Sequence, residues 1–142
     1  MNWTGLQVGR ELDPLVKPPV DNAQLSAYAQ ASGDFNPIHT DDRVAREKGL
    51  DGVIAHGMLV MGFVGQYAGR IVGLNGFVSR LQVRFVEMVK PGDALVCRAE
   101  VVAKDETAWT AELELTVEKE PGRAVAVGRA SLNYTREMTG KD

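Results

Sequence analysis

The sequence predicts an α+β domain in which an antiparallel β-sheet wraps around one long central hydrophobic helix. Three observations predict it: helical patterns fill the first half of the chain, period-two alternation fills the second half, and one helical segment is apolar on nearly every side. The 142 residues suit a single domain, residues 1–142, whose core needs no disulfide. We expect roughly the last seven residues to form a flexible tail.

Two helices are predicted before the long one. The first begins with a capping-box pattern, in which Asp21 is followed three residues later by Gln24, and it ends at Gly33. The second is shorter, with Asp41 as its N-cap and Gly49 at its end. The chain between these helices is therefore expected to be a loop.

The long helix is predicted from His56 to Gly73, a segment with no proline and almost no charge. Its interior glycines each cost up to about 1 kcal/mol relative to alanine. They are Gly57, Gly62, Gly65 and Gly69. Two compatible explanations stay open: the glycines allow tight packing on the sheet, or they leave room for the tail of a ligand.

Four strands joined by short turns are predicted after Gly76. They cover residues 80–89, 94–103, 109–118 and 124–134. In the first strand, one face is shared by Leu81, Val83 and Phe85. In the third, five residues are expected to point inward: Trp109, Ala111, Leu113, Leu115 and Val117. We expect the strands to form an antiparallel meander in chain order, with one solvated face and one face covered by the long helix.

The composition argues against several classes of protein. The net charge is −3 and no basic stripe is visible, so nucleic-acid binding is not expected. Cys97, the single cysteine, alternates with apolar residues and is expected to be buried in a strand. There is no signal-like N-terminus, and no apolar run reaches the roughly 18 residues of a membrane span. We therefore expect a soluble, cytoplasmic protein.

The segment SGDFNPIH, Ser32–His39, contains an acid, an amide and one of the two histidines. Pro37 fixes its own backbone and favours an extended Asn36, so the loop bends and can bring Asp34 and His39 together. A carboxylate and a neutral imidazole could then hold one water and transfer its protons. Loop residues of these types also serve only to satisfy backbone donors, and the spacing alone leaves both interpretations open.

The segment IAHGML places His56 and Gly57 at the start of the buried helix. A helix start offers unpaired N–H groups and a positive dipole end, and glycine lets a substrate carbonyl approach the backbone. This arrangement suits a carbonyl that becomes an enolate. His56 itself is interpreted as a structural residue that hydrogen-bonds the loop. Because Cys97 is distant in the sequence and there is no third histidine, we expect no metal and no cofactor.

The segment Tyr28–Ala45 resembles the hydratase-2 signature of MaoC-like proteins, the (R)-specific enoyl-CoA hydratases and 3-hydroxyacyl-thioester dehydratases. Two later segments, Ile54–Leu59 and Val83–Asp93, are similar to further landmarks of that family. The resemblance extends from about Gly5 to Tyr134 and implies the hot-dog fold. Within the family, the chain looks most like the catalytic subunits of bacterial fatty-acid dehydratases that pair with a second hot-dog subunit.

The resemblance implies reversible hydration of trans-2-enoyl thioesters, linked to CoA or acyl carrier protein, to (R)-3-hydroxyacyl thioesters. Asp34 and His39 would hold the catalytic water and move its protons in a syn addition. The N–H of Gly57 would polarise the thioester carbonyl. Three residues would support the pair: Ser32, Asn36 and His56.

The resemblance also implies a dimer, because hot-dog dimers join two sheets with each site near the interface. This would be a homodimer, or a heterodimer with a second hot-dog subunit. The chain departs from the family pattern at Gly65, where some members carry a hydroxyl residue. Two alternatives stay open: a hot-dog acyl-CoA thioesterase, which needs only one base, and a non-enzymatic subunit that binds the thioester or stabilises a catalytic partner.

Overall fold

The computed structural model describes residues 1–135, which form a five-stranded antiparallel sheet curled around one long helix. The α-helices are α1 (Asn22–Ser32), α2 (Asp42–Glu47) and α3 (Gly57–Val72). The strands are β1 (Leu15–Val16), β2 (Gly76–Phe85), β3 (Val96–Asp105), β4 (Thr110–Glu120) and β5 (Arg123–Tyr134). The predicted α+β class is confirmed. The predicted C-terminal tail lies outside the described residues.

The predicted caps bound the two short helices. Asp21 Oδ1 accepts a hydrogen bond from the N–H of Gln24 at 2.7 Å, and Gly33 ends α1 with a left-handed φ of 76°. Asp41 caps α2 by accepting from two N–H groups of its first turn. The loop between the two helices is therefore fixed at both ends, which limits where its side chains can lie.

Helix α3 fills the concave side of the sheet. Its buried residues are Leu59, Val60, Phe63, Val64, Tyr67, Ala68, Ile71 and Val72. The segment Gly57–Asn75 is long and apolar enough to span a membrane by length and composition alone, contrary to the prediction that no run qualifies. Its apolar face instead belongs to one core cluster with the sheet. The apolar composition of this segment is therefore explained by the packing of α3 in the core.

The glycines of α3 do not all serve packing within the chain. A Cβ atom added at Gly57 would lie 3.1 Å from the ring of Phe85, and one at Gly65 would lie 3.7 Å from Leu81. At Gly62, and likewise at Gly69, an added Cβ would meet no atom of the described chain within 4 Å. Tight packing on the sheet therefore explains the N-terminal glycine of this helix but not those two.

The strand order is β1–β3–β4–β5–β2, with every pair antiparallel. The predicted meander is right for β3, β4 and β5 but wrong for β2, which pairs with β5. The segment between β2 and β3 is not a hairpin turn, because Val86 N–H donates to Val125 O and Gly92 N–H donates to Val20 O. This segment connects β2, at one edge of the sheet, to β3, which lies on the other side of β4 and β5. Strand β2 is therefore an edge strand.

Strand boundaries differ from the prediction where the alternation is broken. Strand β2 begins at Gly76 and has an irregularity between Val78 and Arg80, so its first residues lack the period-two pattern. Strand β1 has two residues, too few for any periodicity. The predicted burial of Cys97 is confirmed, and burial raises the pKa of its thiol to about 11.

The inward positions predicted for the third long strand are mostly confirmed. Four of them are buried in β4: Ala111, Leu113, Leu115 and Val117. Trp109 is the exception, because it lies in the turn before β4 with a left-handed φ of 57°. Its ring nevertheless packs against the core.

Candidate active site

The loop between α1 and α2 is held together by its own side chains. Ser32 Oγ accepts from the N–H of Asp34 at 3.2 Å, and Asp34 Oδ1 accepts from the N–H of Asn36 at 3.1 Å. Asn36 Oδ1 accepts from Ile38 N–H at 3.2 Å and caps the 3₁₀ turn Pro37–His39. The loop residues therefore satisfy backbone donors, as one interpretation predicted. The second carboxylate oxygen of Asp34 takes no part in these bonds.

That second oxygen, Asp34 Oδ2, lies 3.9 Å from Nε2 of His39. The other ring nitrogen, Nδ1, is 2.7 Å from the carbonyl oxygen of Ile54. Because a carbonyl only accepts, Nδ1 carries the proton, and the Nε2 of the neutral ring presents a lone pair toward the carboxylate. The 3.9 Å gap exceeds a direct hydrogen bond and suits a molecule of water held by both groups.

The two side chains of the pair differ in exposure. The His39 side chain is 10% exposed, whereas that of Asp34 is 51% exposed. A ligand can therefore approach from the side of the carboxylate while the imidazole is kept in place by its surroundings.

His56 lies against the buried face of this pair. Its ring stacks on that of His39 with centroids 3.9 Å apart and planes 23° apart, and the ring of Tyr28 contacts it edge-on at 4.8 Å. Its Nε2 donates to the backbone oxygen of Asp34 at 3.2 Å, which is the hydrogen bond to the loop that the sequence predicts. Its Nδ1 is buried and has no partner among residues 1–135.

Gly57 is the first residue of α3 and lines a cleft of about 670 Å³. His56, the N-cap, makes no side-chain cap bond, so the first N–H groups of the helix are free of that partner. The cleft is mainly apolar, with lining residues that include Ile54, Ala55, Val60, Val89 and Val125. Asp34 and His39 do not line it. It adjoins them through Ile54, whose carbonyl binds His39, and through Gly57, which follows His56.

Phe85 forms a wall of the cleft that the sequence interpretation missed. It follows the half-buried Leu81 and Val83 in the period-two pattern of β2, as predicted, but it is 46% exposed at the end of that strand. Its ring atom Cε2 lies only 3.1 Å from the position that a Cβ of Gly57 would occupy. One feature of the sequence could have identified Phe85: it lies in the segment Val83–Asp93, which resembles a landmark of the MaoC-like family.

Charged residues also line the cleft, and three of them were not inferred from the sequence: Glu87, Lys119 and Arg123. Glu87 accepts from Arg123 and lies 3.0 Å from Lys119 Nζ, and these hydrogen bonds hold the pKa of its carboxyl below the usual value. Lys90 pairs with Asp51 at 2.8 Å. The first group forms only because β2 pairs with β5, a pairing that the predicted meander did not contain.

Asp34, His39 and His56 also form the group of possible metal ligands within residues 1–135, with ligand atoms within 4.8 Å of one another. Each histidine already commits one ring nitrogen to a backbone carbonyl. Stacked rings direct their in-plane lone pairs side by side, whereas a metal needs them to converge on one point. The arrangement therefore suits proton transfer better than metal binding.

A five-stranded antiparallel sheet curled around one central helix defines the hot-dog class of proteins. The chain belongs to the family of the MaoC-like domain, which matches residues 4–121. The resemblance inferred from the sequence is thus confirmed.

Relatives of known structure share this architecture. The chain is 29% identical over 109 residues to the (R)-specific enoyl-CoA hydratase of Aeromonas caviae, covering 76% of this chain and 81% of the relative. The solved structure of the (R)-hydratase from A. caviae superposes with a TM-score of 0.83 at 27% identity, covering 92% and 98% of the two chains. The ChsH1–ChsH2 complex from Mycobacterium tuberculosis gives a TM-score of 0.81 over 91% of this chain and 98% of that one. At 18% identity it shows the fold alone.

Other relatives are much longer proteins. The fatty acid synthase beta subunit TOXC of Cochliobolus carbonum is 35% identical over 115 residues, which is 80% of this chain but 5% of that subunit. The chain therefore corresponds to a small part of such relatives. Their whole activities do not transfer to it.

Proposed function

We propose that the protein catalyses the reversible hydration of trans-2-enoyl thioesters, carried on CoA or acyl carrier protein, to (R)-3-hydroxyacyl thioesters. The observation that carries this proposal is the lone pair of His39 Nε2 facing Asp34 Oδ2 across a 3.9 Å gap, with the proton of His39 engaged by Ile54. The similarity to (R)-specific enoyl-CoA hydratase supports the reaction class. The reaction needs water and proton transfer but no cofactor.

In the hydration direction, a water donates to both acceptors of the pair. As the water oxygen attacks C3, the pair accepts one proton, and it then returns one proton to C2 on the same side of the substrate. The double bond and one O–H bond are lost, and a C–O bond and a C–H bond form, so the addition is syn and the enzyme ends unchanged. Three residues support the pair by holding the loop: Ser32, Asn36 and His56.

The thioester carbonyl gains negative charge as C2 becomes enolate-like. We place that oxygen at the N–H of Gly57, where a helix start supplies an unpaired donor and a positive dipole end. The adjoining cleft of about 670 Å³ has apolar walls that suit the acyl portion. Ile54 connects the two parts, because it lines the cleft and its carbonyl fixes His39.

We further propose that the protein is one cytoplasmic domain over residues 1–142 that works as a homodimer or as half of a heterodimer. Strand β2 supports this proposal, since it is an edge strand whose outer side pairs with no other strand in residues 1–135. Solved two-protein complexes with the same fold show that hot-dog chains also assemble with other chains. A nucleic-acid partner is not part of this proposal.

The test is to measure hydration of crotonyl-CoA by loss of enone absorbance with Asp34→Asn and His39→Ala variants. Loss of one acid/base group should lower the rate on the order of 10²–10⁴-fold while circular dichroism stays unchanged. Near-wild-type rates in both variants would sink the proposal. Ser79→Ala is a matched control, because this hydroxyl donates to Ser131 O and Asn133 Oδ1 on the neighbouring strand β5.

Two alternatives are resolved in the same experiments. A thioesterase would release free CoA, detected with a thiol reagent, and would need only one of the two groups. The presence of both Asp34 and His39 favours hydration. A partner subunit would be inactive alone, so activity of the purified chain excludes that role, whereas activation by a second hot-dog protein assigns it to a heterodimer.

A further inference from the structure

We propose that Arg80, Arg84 and Arg129 form a docking surface for an acidic carrier protein, which presents its acyl thioester to the cleft. This inference rests on the proposed function, because it selects the carrier for the same reaction. The three arginines are exposed on the outer face of the sheet, the face turned away from α3. We call them the arginine surface.

The pairing of β2 with β5 brings the arginine surface together. Gln82 lies directly opposite Arg129 and is flanked along β2 by the other two arginines. Alternate residues of a strand point to the same face, and directly opposite residues share that face, so the three arginines leave the sheet on one side. The residues between them on β2, Leu81 and Val83, point the other way and pack against the core.

The arginine surface is not neutralised by acids of the chain. None of its three guanidinium groups makes an ion pair within residues 1–135. In the cleft, by contrast, Lys119 and Arg123 both pair with Glu87. A protein with 19 acidic and 16 basic residues therefore leaves a group of neighbouring positive charges free for a partner.

The other half of the outer face has the opposite charge. Strands β3 and β4 place four glutamates there, with Glu100 directly opposite Glu114. The other two are Glu112 and Glu118, and only Glu118 pairs with an arginine, Arg98, at 3.0 Å. This half repels an acidic partner while the arginine surface attracts it, so the electrostatic field of the protein places the partner beside β2.

The arginine surface is wide and matches a protein better than a small anion. Its two arginines on β2 are four residues apart, which is about 13 Å along an extended strand. Acidic residues at positions i, i+4 and i+8 of a helix span about 12 Å, at 1.5 Å per residue, and lie on one face. An acidic helix can therefore contact the whole surface, whereas one phosphate group contacts only part of it.

The arginine surface ends where the cleft begins. Arg84 is followed directly by Phe85, whose ring forms a wall of the cleft beside Gly57. The arm that bears the thioester of a docked carrier therefore has a short path around the end of β2 to the proposed carbonyl site. The hydrogen-bonding edge of β2 stays open to a second subunit, because the arginine side chains leave the face of the sheet rather than its edge.

The test compares one acyl group on two carriers. Crotonyl-CoA and a crotonyl group on a purified bacterial acyl carrier protein are supplied to the wild type and to the double variant Arg84→Glu/Arg129→Glu. In the variant, kcat/KM for the protein-linked substrate should fall on the order of 10–10²-fold, because electrostatic steering raises association rates by about 10–10³-fold. Hydration of crotonyl-CoA should be unchanged. Added salt should lower the wild-type value for the protein-linked substrate and affect the variant little.

Arg70→Glu is the matched control, because Arg70 is an exposed arginine of α3 that makes no ion pair within residues 1–135. It changes the net charge as much as each single substitution and should leave both rates unchanged. Isothermal titration calorimetry with the carrier protein lacking an acyl group provides a readout independent of turnover. The wild type should bind at low salt and the double variant should not. If the double variant does not fold, Arg84→Gln/Arg129→Gln replaces it.

The outcomes are distinguishable. If the double variant hydrates both substrates at wild-type rates, the arginines are only a solvated face and the inference fails. If it loses turnover of crotonyl-CoA to the same extent, the arginines bind the nucleotide portion of CoA and docking of a carrier protein is refuted. Wild-type activity on crotonyl-CoA alone also overturns the inference. If neither substrate is hydrated, the proposed function fails, and calorimetry still decides whether the carrier protein docks.

Discussion

The two ends of α3 contain the two buried side-chain nitrogens that lack a partner in residues 1–135, yet their surroundings are opposite. At the N-terminal end, His56 lies between a polar loop and an open cleft. At the C-terminal end, Trp109 lies in an aromatic cluster with Trp3 and Tyr134. An unsatisfied buried nitrogen therefore does not mark a functional site by itself; the groups around it decide.

The C-terminal end is arranged to hold distant parts of the chain together. Trp3 packs against Trp109 at 5.1 Å and against Tyr134 at 5.3 Å, and its Nε1 donates to Glu106 at 2.8 Å. The N-terminal ammonium of Met1 donates to a carbonyl near the end of α3 at 2.7 Å. Burial raises the pKa of Tyr134 to about 12, so its hydroxyl stays neutral. Each contact here stabilises the fold.

Backbone strain at this end also serves packing. Trp109 has a φ of 57°, a left-handed conformation that costs a residue other than glycine about 1–2 kcal/mol. Its ring contacts Trp3, and its carbonyl accepts from Tyr134 N–H at 2.8 Å. At the other end of α3, the buried nitrogen without a partner is His56 Nδ1, and His56 contacts both Asp34 and His39. The comparison predicts that substitutions at the C-terminal end of α3 change the free energy of unfolding, whereas substitutions at the N-terminal end change the hydration rate.

The largest expected effect on stability is at Trp3. Trp3→Ala removes the centre of the aromatic cluster and should lower the free energy of unfolding by about 3–5 kcal/mol, the usual cost for a buried tryptophan. Urea unfolding measures this loss. The hydration rate per folded molecule should stay at the wild-type value, because Trp3 lies at the end of α3 away from the loop. A rate loss comparable to that of Asp34→Asn would contradict the division between the two ends.

The next largest effect is kinetic and lies at Gly57. Gly57→Ala keeps the N–H but places a methyl group where the thioester carbonyl is proposed to approach. Blocking the carbonyl from this donor should cost as much as losing one oxyanion donor, about 10²–10³-fold in rate. Stability should change little, because the nearest group is the ring of Phe85, which is 46% exposed and can move. Steady-state kinetics and thermal unfolding measure the two quantities. A wild-type rate would remove Gly57 from the proposed mechanism.

The sequence was sufficient to predict structure where the interactions that determine it join residues close along the chain. The caps at Asp21 and Asp41 act within a few residues, and α3 is marked by a continuous apolar segment without proline; these signals predicted α1, α2 and α3. Asp34 and His39 are also close in sequence, and the bend expected at Pro37 predicted that their side chains can meet. This is why the pair could be inferred before any tertiary contact was known.

The sequence was insufficient to predict structure where the interactions that determine it join residues far apart along the chain. The partner of β2 is set by pairs such as Phe85 with Ala126, and no local turn signal distinguishes β5 from β3 as a neighbour. The cleft depends on that pairing, because it brings Arg123 beside Glu87. The bond from Trp3 to Glu106 spans 103 positions and left no pattern in the sequence.

The smallest expected effect is at Gly69, in the C-terminal half of α3, and it is the counterpart of Gly57. An alanine Cβ at Gly69 would meet no atom of residues 1–135 within 4 Å, so Gly69→Ala should stabilise the protein by up to about 1 kcal/mol through helix propensity. The hydration rate should not change. Thermal unfolding provides the measurement, with Gly57→Ala as the comparison. A loss of stability would mean that another molecule occupies this space, a second copy of the chain or an acyl tail, and that the glycine serves a contact outside the chain.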